Sequence, residues 1–495
     1  MRLTKQFLVL CVLLGGWIGC VAGPNVLFIA IDDLNDWIGP LGGHPQALTP
    51  NMDRLAARGV VFTNAHCAAP ACNPSRAALF SGLMPDKTGV WSNGSGSIQK
   101  LKPDAKLMSL AFAEAGYKTL GTGKLLHNRG GELYDEFYKP EQRWSPFPSS
   151  EAVDYSDEEL PSKGSNNPRQ LAELDGKTYV LPLNRMPSDR NPDNKKGESF
   201  DWGPFDEPDK KFGDTLITDW AIDQLQTQSA KLEPDQPFFL AVGYYRPHIP
   251  LWAPARFFER FKSDPGQLPP VIEGDLDDLS DIARKWAIEA VTAGSHATVV
   301  KHGQWRQAVE AYLACVTYID YEIGRLLDSL EASGLAENTV IVLWGDHGWN
   351  LGEKQHWGKW TGWERSTKVP LIIAAPPNQA KSFSTSGKLC NQPVGLIDLY
   401  PTLTELCKVS HGVDLDGESL LPLLRNPQKK TGRMLVTTFD EGNNSIRSED
   451  WRYIRYATGD EELYNLKKDP NEWDNLISHP EYKKQLKSFR KVLEN

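Results

Sequence analysis

This sequence of 495 residues has no excess of positive charge, since 54 Lys and Arg stand against 64 Asp and Glu and the formal net charge is −10. Because phosphate binding needs a basic face, this balance argues against a nucleic-acid partner. The chain also lacks internal repeats and low-complexity tracts. Its 40% hydrophobic and 24% charged residues are typical of a globular protein, long enough for one large domain and a smaller one.

Apolar runs long enough to cross a bilayer comfortably are also lacking. The N-terminal run, residues 7–19, follows Arg2 and Lys5 and precedes a series of small residues. This arrangement is typical of a signal peptide, and we predict cleavage near Ala22, with lipidation at Cys20 as the alternative. The mature protein is then expected to be exported, periplasmic or secreted, without a stable membrane partner.

Cysteines spaced as C-x-x-C are absent, which argues against a zinc or thioredoxin-like site. The chain has seven cysteines, of which two lie in the predicted signal peptide and five remain in the mature protein. In an oxidising compartment an odd number leaves at least one thiol without an intrachain partner, and we expect this to be Cys72. A bridge between Cys390 and Cys407 is left open.

Four short, continuous apolar segments are typical of strands that are buried on both faces. They cover residues 25–31, 237–244, 338–344 and 368–375. Helical patterns lie between them at residues 49–59, 104–116 and 306–334, the first with Thr49 as its predicted N-cap. This alternation predicts an α/β fold, in which a mostly parallel central sheet is flanked by helices.

The composition changes twice along the chain. Residues 139–213 are rich in polar residues, Pro and Gly and lose their periodicity, which indicates a surface insertion that is either disordered or a wall of the cleft. From residue 428 onwards, short alternating segments predict a C-terminal α+β subdomain with an antiparallel sheet. We therefore expect a signal peptide at 1–22, a large domain at 23–427 and a small subdomain at 428–495.

Two acidic clusters directly follow predicted strands. Asp32 and Asp33 come after the first strand, and Asp346 and His347 come after the third. Ligands of open α/β sheets bind outside the carboxyl ends of the strands, so the two clusters suggest one metal site. Three carboxylates suit a hard cation such as Ca²⁺ or Mg²⁺, whereas imidazole is more typical of transition metals. The alternative is that these residues are merely solvated loop residues.

The segment ACNPSRAALFSG, residues 71–82, predicts a helix that begins near Cys72 and ends at Gly82. Cys72 and Arg76 are four residues apart and share one face of this helix. The helix N-terminus and the guanidinium of Arg76 would both attract an anion such as sulfate or phosphate. A buried, inert cysteine is the alternative interpretation.

Three further segments carry side chains suited to chemistry on an anion. They are GTGKLLH with Lys124 and His127, YYRPHIP with His248, and HWGKW with Lys359. Each of these residues alone is a weak signal, because single lysines are usually solvated and single histidines usually structural. Their combination with Cys72 and the acidic clusters indicates an active site.

This ordered set resembles the type I sulfatase family of the alkaline-phosphatase superfamily. The family signature C-x-P-S-R followed by L-x-[ST]-G is matched by residues 72–82, with Ser81 where Thr is commoner. The resemblance spans nearly all of the mature chain. Segments such as GTGKLLHNRG, FFLAVGYYRPHIPLWAP and GDHGWNLGEKQHWGKW are most similar to the iduronate-2-sulfatase-like branch, in which His347 replaces the Asn of other sulfatases.

The resemblance implies an alkaline-phosphatase-like fold and a cysteine that a formylglycine-generating enzyme oxidises to Cα-formylglycine (3-oxoalanine). It further implies one Ca²⁺ per chain, with the following metal ligands: Asp32, Asp33, modified Cys72, Asp346 and His347. Arg76 would hold the hydrated aldehyde, Lys124 and Lys359 would contact the sulfate oxygens, His127 would contact the gem-diol and His248 the ester oxygen.

A hydrated aldehyde has two hydroxyls, so one can attack sulfur and the other can later lose its proton to release sulfate. His248 is the expected general acid for the leaving alcohol, and His127 the expected acceptor of that later proton. The branch implies a 2-O-sulfated uronic acid at the end of a heparan, dermatan or algal polysaccharide chain. The alternatives are a phosphatase or phosphonate hydrolase of the same superfamily, and a glycan-binding protein that is never matured.

Overall fold

An eight-stranded sheet forms the centre of the large domain. The computed structural model describes residues 23–128, 130–142, 146, 170–174, 177–181, 186–187, 189–190, 200–228, 236–292, 294–383 and 387–494. The predicted signal peptide and much of the predicted insertion at 139–213 lie outside these ranges. Within them, no helix is both long enough and apolar enough to span a membrane.

The strands and α-helices follow one another along the whole described chain. In chain order the strands are β1 (Asn25–Ile31), β2 (Val60–Phe62), β3 (Ala65–His66), β4 (Lys118–Gly123), β5 (Glu136–Tyr138), β6 (Gln170–Leu174), β7 (Lys177–Leu181), β8 (Trp202–Phe205), β9 (Phe238–Tyr244), β10 (Leu251–Pro254), β11 (Thr339–Gly345), β12 (Asn350–Leu351), β13 (Trp357–Gly358), β14 (Leu371–Ala374), β15 (Lys388–Cys390), β16 (Val394–Gly395), β17 (Leu435–Asp440), β18 (Asn443–Arg447), β19 (Trp451–Arg455) and β20 (Glu461–Asn465).

The α-helices are α1 (Pro50–Ala56), α2 (Cys72–Ser81), α3 (Pro85–Thr88), α4 (Ile98–Leu101), α5 (Met108–Glu114), α6 (Gly213–Asp223), α7 (Asp281–Ile288), α8 (His296–Lys301), α9 (Trp305–Ala332), α10 (Glu364–Thr367), α11 (Leu399–Cys407), α12 (Leu421–Arg425) and α13 (Lys483–Val492). All four helices expected from the sequence are present, as α1, α2, α5 and α9, although α1 and α5 are shorter than their patterns.

The central sheet is mostly parallel, as the sequence predicts. Its strand order is β15-β2-β14-β11-β1-β9-β4-β5. β1 pairs in parallel with β11 and β9, and β9 pairs in parallel with β4. Only β14 in this sheet runs against its neighbours, β11 and β2. Since β4 also pairs in parallel with β5, five adjacent parallel strands end at the same edge of the sheet.

Both faces of the sheet are covered. Alternate residues of β1 pack in two separate cores, one around Leu27 and Ile29 and the other around Val26 and Phe28. The first core includes α1, α6 and the long helix α9, and the second includes α2, α5 and α11. Burial on both faces explains why these strands read as continuous apolar runs.

Thr49 is the N-cap residue of α1, as the sequence predicts, but it caps the helix with its backbone carbonyl alone. The Thr49 side chain makes no capping hydrogen bond, but accepts one from the N–H of Gly39 at 2.8 Å. Asp320 of α9 takes the capping role instead, because its carboxylate accepts hydrogen bonds from the N–H groups of Asn51 and Met52 at 3.1 and 2.8 Å. A cap supplied from 269 residues away cannot be found by inspecting the local sequence.

Strands β17 to β20 form an antiparallel sheet in which each strand pairs with the next one in the chain. Helix α13 packs on this sheet, with the ring of Phe489 stacked on that of Tyr453 at 5.6 Å. The predicted antiparallel C-terminal sheet is therefore confirmed. The five cysteines of the described chain are all free and buried, so the Cys390–Cys407 bridge does not form here.

Candidate active site

The carboxyl ends of four neighbouring strands bring the predicted site residues together. Asp32 and Asp33 directly follow β1, and Asp346 directly follows its partner β11 and donates its N–H to the Ile31 carbonyl at 3.2 Å. β9 leads into the loop with His248, and β4 leads directly into Lys124. The parallel register of the sheet therefore gathers residues that are far apart in the sequence.

Close backbone contact fixes the start of the Lys124 segment. The N–H of Lys124 donates to the carbonyl of Gly243 at 2.8 Å. Gly123 has φ +71°, and a Cβ at this position would lie 2.0 Å from the same carbonyl oxygen. Only glycine allows β4 and β9 to meet this closely at their ends.

Cys72 lies at the first position of α2, fully buried against this edge of the sheet. Its Sγ is 3.0 Å from the Nζ of Lys359, 3.4 Å from the Nζ of Lys124 and 3.3 Å from the Nε2 of His347. Asp33 Oδ1 is 3.9 Å away. The sulfur therefore lies between two ammonium groups, an imidazole and a carboxylate.

Four of the five predicted metal ligands form one buried cluster. Ligand atoms of Asp32, Asp33, Cys72 and His347 all lie within 4.8 Å of one another. The fifth, Asp346, lies beside this cluster: its Oδ1 accepts hydrogen bonds from the N–H groups of Asp33 and His347, both at 3.0 Å. The assignment of Asp346 as a metal ligand stays a prediction.

Arg76 holds the two acidic clusters together from α2. Its Nε donates to Asp346 Oδ2 at 2.8 Å, and a terminal nitrogen donates to Asp32 Oδ1 at 3.2 Å. The other terminal nitrogen donates to the carbonyls of Lys124 and Leu125 at 2.6 and 3.0 Å. The planar guanidinium thus connects three segments of the site, which a single ammonium group could not do in the same way.

Two lysines also pair with the acidic residues. Lys124 Nζ donates to Asp32 Oδ2, and Lys359 Nζ donates to Asp33 Oδ1 at 2.7 Å. Asp33 Oδ2, although buried, has no hydrogen-bond partner among the residues that the structure describes. A buried carboxylate oxygen without a partner is costly, and it is an oxygen ligand that a hard cation would satisfy.

The positive groups around the sulfur favour its ionised form. Burial opposes ionisation of Cys72, but Lys124, Lys359 and His347 outweigh burial, so the pKa of the thiol is held well below its usual range. Burial and Cys72 likewise oppose ionisation of Asp32, yet the cations around Asp32 lower its pKa. The site is built to hold negative charge at position 72.

The neighbouring residues Asp346 and His347 both favour their protonated forms. Burial raises the pKa of Asp346 to about 7, against the opposing effect of Arg76. Burial lowers the pKa of His347, but Asp346 and Cys72 outweigh it and raise the pKa to about 9. Because these two groups titrate together with their neighbours, a charge that enters the cluster changes the pKa of both.

The two predicted proton-transfer histidines approach the cluster from different strands. Burial lowers the pKa of the His127 imidazole, against the opposing effect of the nearby Cys72 thiol. The Nδ1 of His248 lies 2.5 Å from the carbonyl of Ile249, while its Nε2 lies 3.9 Å from Asp33 Oδ2. The Nδ1–H···O contact fixes the orientation of the His248 ring and turns its Nε2 towards the cluster.

Two residues that support the site were not found from the sequence. The hydroxyl of Tyr312 donates to the carbonyl of Asp33 at 2.8 Å. His356 places its ring nitrogens 2.8 and 2.9 Å from the carbonyls of Ala287 and Lys359. In the sequence, Tyr312 looks like part of the apolar face of a helix. For His356, the one signal of a role in the site was its position three residues before Lys359.

A cavity of about 220 Å³ opens beside Lys124 and His127. Phe137, Lys139 and Tyr245 also line it. The end of the predicted insertion pairs with the chain after His248, since β8 runs parallel to β10. Whether the remainder of 139–213 forms a wall of the cleft stays a prediction.

Comparison with protein families assigns the chain. The sulfatase family model matches residues 24–409. This chain belongs to the sulfatase family. A second model, described as the C-terminal part of N-sulphoglucosamine sulphohydrolase, matches residues 352–495. The family that the sequence motifs predicted is confirmed.

Curated relatives of this sulfatase family member cover most of the chain. A sulfatase of Formosa agariphila is 35% identical and covers 95% of this chain and 86% of its own. The iduronate 2-sulfatase of Mus musculus is 28% identical over 77% of this chain and 68% of its own. A Δ4,5-hexuronate-2-O-sulfatase of Bacteroides thetaiotaomicron is 25% identical over 95% and 88%.

Solved structures confirm the predicted fold. The phosphonate monoester hydrolase of Agrobacterium radiobacter superposes with a TM-score of 0.68 at 21% identity, covering 95% of both chains. The alkaline-phosphatase-like architecture expected from the sequence is therefore present: a large mixed sheet between helices, followed by an antiparallel C-terminal sheet.

Proposed function

We propose that this chain is an exported sulfatase that hydrolyses sulfate esters of glycans. The observation that carries the proposal is the position of Cys72, whose sulfur lies within 3.4 Å of two lysines and a histidine, beside a buried acidic cluster. Residues 1–22 support export to the periplasm or the medium.

We infer that Cys72 is oxidised to Cα-formylglycine by a formylglycine-generating enzyme and that the acidic cluster binds one Ca²⁺. The donor set fits this ion, because Asp32 and Asp33 supply hard oxygen ligands and one Asp33 oxygen has no hydrogen bond. Once bound, the ion and the hydrated aldehyde would supply an oxygen nucleophile with raised acidity at position 72.

The chain's own residues would then bind the sulfate group and move its protons. Lys124 and Lys359 would hold the sulfate oxygens, since both ammonium groups already lie next to position 72. His248 would donate a proton to the leaving alcohol from Nε2, because Nδ1 is engaged by the Ile249 carbonyl. His127, whose pKa is lowered by burial, is suited to accept a proton from position 72.

For the substrate we propose a 2-O-sulfated uronic acid at a chain end. Two of the relatives are named for 2-O-sulfatase activity on iduronate or hexuronate. Two lysines, Lys124 and Lys139, and one carboxylate, Glu132, line the cavity, on a chain whose net charge is −10. This local excess of positive charge favours an anionic sugar such as a uronic acid.

Maturation is tested by mass spectrometry of the tryptic peptide 59–76 from exported protein after alkylation. We expect Cys67 to carry the alkyl group and position 72 to have the lower mass of an aldehyde. Cys67 serves as the internal control, because it lies in the same peptide, is buried in the folded protein as Cys72 is, and lies outside the cluster. Two alkylated cysteines would contradict the proposed maturation.

The activity is tested by sulfate release from a panel of sulfated oligosaccharides, with aryl sulfate and aryl phosphate assayed in parallel. We expect release from 2-O-sulfated uronides and from aryl sulfate. Hydrolysis of aryl phosphate alone would assign the chain to the phosphatase alternative. A matured protein that releases sulfate from no member of the panel would contradict the glycan proposal.

A further inference from the structure

Asp214 holds the loop that carries His248. Asp214 lies in the first turn of α6 and is 4% exposed. Its Oδ1 accepts a hydrogen bond from the N–H of Tyr245 at 2.6 Å, and its Oδ2 accepts one from the N–H of Arg246 at 3.3 Å. These are the first two backbone donors after β9 ends, so one carboxylate fixes the start of the loop.

The position of Tyr245 in turn determines that of His248. The N–H of His248 donates to the Tyr245 carbonyl at 2.9 Å, which closes a turn over these four residues. Pro247 and Pro250 have no N–H, so few other backbone donors are available to hold this loop. Hydrogen bonds through the backbone of Tyr245 therefore link the Asp214 carboxylate to the position of the His248 imidazole.

We propose that Asp214 is a positioning residue that keeps His248 in place as the general acid, an inference that rests on the proposed function. The Asp214 carboxylate acts through the backbone of Tyr245 and Arg246. Its effect should therefore appear only where a reaction needs the proton from His248.

The substitution Asp214→Asn separates this role from a general loss of structure. Asparagine has nearly the same size, but one of its two terminal groups is an N–H donor, which cannot accept from a backbone N–H. One of the two hydrogen bonds is lost, and the loop is free to shift. A displacement of about 1 Å in a catalytic group can reduce a rate by about 10²-fold.

The test uses matured enzyme with 4-nitrophenyl sulfate, whose leaving group needs no proton, and phenyl sulfate, whose leaving group does. General acid catalysis contributes about 10²–10⁴-fold. For Asp214→Asn we expect kcat with phenyl sulfate to fall by about 10²-fold and kcat with 4-nitrophenyl sulfate by less than about 3-fold. His248→Ala should give the same selective loss, and the double variant should lose no more than His248→Ala.

Asp320→Asn is the matched control. Asp320 is also a buried carboxylate that accepts backbone N–H groups, but it caps α1. We expect the control to unfold more easily and to keep the wild-type ratio of the two rates. Asp214→Glu retains the carboxylate and should restore part of the ratio, and it takes the place of Asp214→Asn should that variant not fold.

The two proposals fail in different ways. If the ratio of the two rates in Asp214→Asn stayed at the wild-type value, the positioning role would be wrong. The proposed sulfatase function of the wild type would still stand. A matured wild type that cleaves neither aryl sulfate would overturn the proposed function, and the positioning role with it.

Discussion

Replacing Arg76 by lysine keeps the positive charge at this position but removes the planar guanidinium group. Arg76 donates four side-chain hydrogen bonds, to the carboxylates of Asp32 and Asp346 and to the carbonyls of Lys124 and Leu125. A lysine has one nitrogen on a flexible stem and cannot reach acceptors on three segments at once. We expect it to keep a carboxylate contact and to leave at least two acceptors unpaired.

The expected cost follows from burial. Arg76, Asp32 and Asp346 are all 0% exposed, so water cannot replace the lost donors. A buried polar group left without its partner costs about 1–3 kcal/mol, and two of them lower the free energy of unfolding by about 2–6 kcal/mol. That loss is a large part of the roughly 5–15 kcal/mol that stabilises a typical protein. Losing one donor that stabilises developing charge should also reduce kcat by about 10²–10³-fold.

Urea unfolding and sulfate release measured on the same preparation test both effects. Arg433→Lys is the matched control, because Arg433 grips Asp398 with two hydrogen bonds of 2.7 and 3.0 Å away from the cluster. Its side chain is 16% exposed, so water can replace a lost donor, and we expect a smaller loss of stability and wild-type activity. If Arg76→Lys unfolded at the same urea concentration as the wild type, the four contacts would not be what holds the acidic clusters together.

Three further predictions concern the nucleophile, the metal and pH. Cys72→Ala should abolish sulfate release and keep the circular dichroism of the wild type; retained activity would remove Cys72 from the reaction. Asp346→Asn should lose calcium and activity together, and an unchanged metal content by mass spectrometry of inorganic ions would exclude Asp346 as a ligand. His66 is 1% exposed, and burial holds its pKa well below the ordinary value of 6.5. The unfolded chain therefore binds a proton that the folded one does not, and stability falls by up to about 1.4 kcal/mol per unit as pH drops below about 6.5. His66→Gln should flatten this slope in urea unfolding at pH 4–7, and an unchanged slope would contradict it.

Residues adjacent in sequence to a strand end could be predicted, and residues that act from a distance could not. Asp32 and Asp346 each follow a predicted buried strand directly, so the rule that parallel strands end at one edge places them together. Lys124 also follows a strand, β4, but that strand is not among those predicted from the sequence. Asp214, by contrast, reads as an ordinary acidic residue near the start of a helix. Its role depends on the packing of α6 against the end of β9, which no local pattern encodes.

The same limit applies to the interior of the sheet. The apolar run at 368–375 predicts a buried strand, and the structure has β14 there, but the run contains nothing that specifies its direction. β14 is antiparallel to β11 and β2 because the chain returns to the sheet after the segment with Lys359. The composition of a strand shows that it is buried, whereas its direction depends on the segments that connect it to the neighbouring strands.

The charged side chains of the site are buried and lie close to partners of opposite charge. Eight ionisable side chains, none more than 3% exposed, meet there: Asp32, Asp33, Cys72, Asp346, Arg76, Lys124, His347 and Lys359. Buried ion clusters of this kind are often no more stable than apolar packing of the same volume, so folding alone does not explain the arrangement. Because the four acidic groups (the three aspartates and Cys72) are matched by four basic ones (Arg76, the two lysines and His347), each single charge substitution leaves an uncompensated buried charge and is expected to destabilise the fold and impair the reaction. A role in the chemistry can therefore be isolated only by a readout that stability does not move, such as the leaving-group dependence expected for Asp214→Asn.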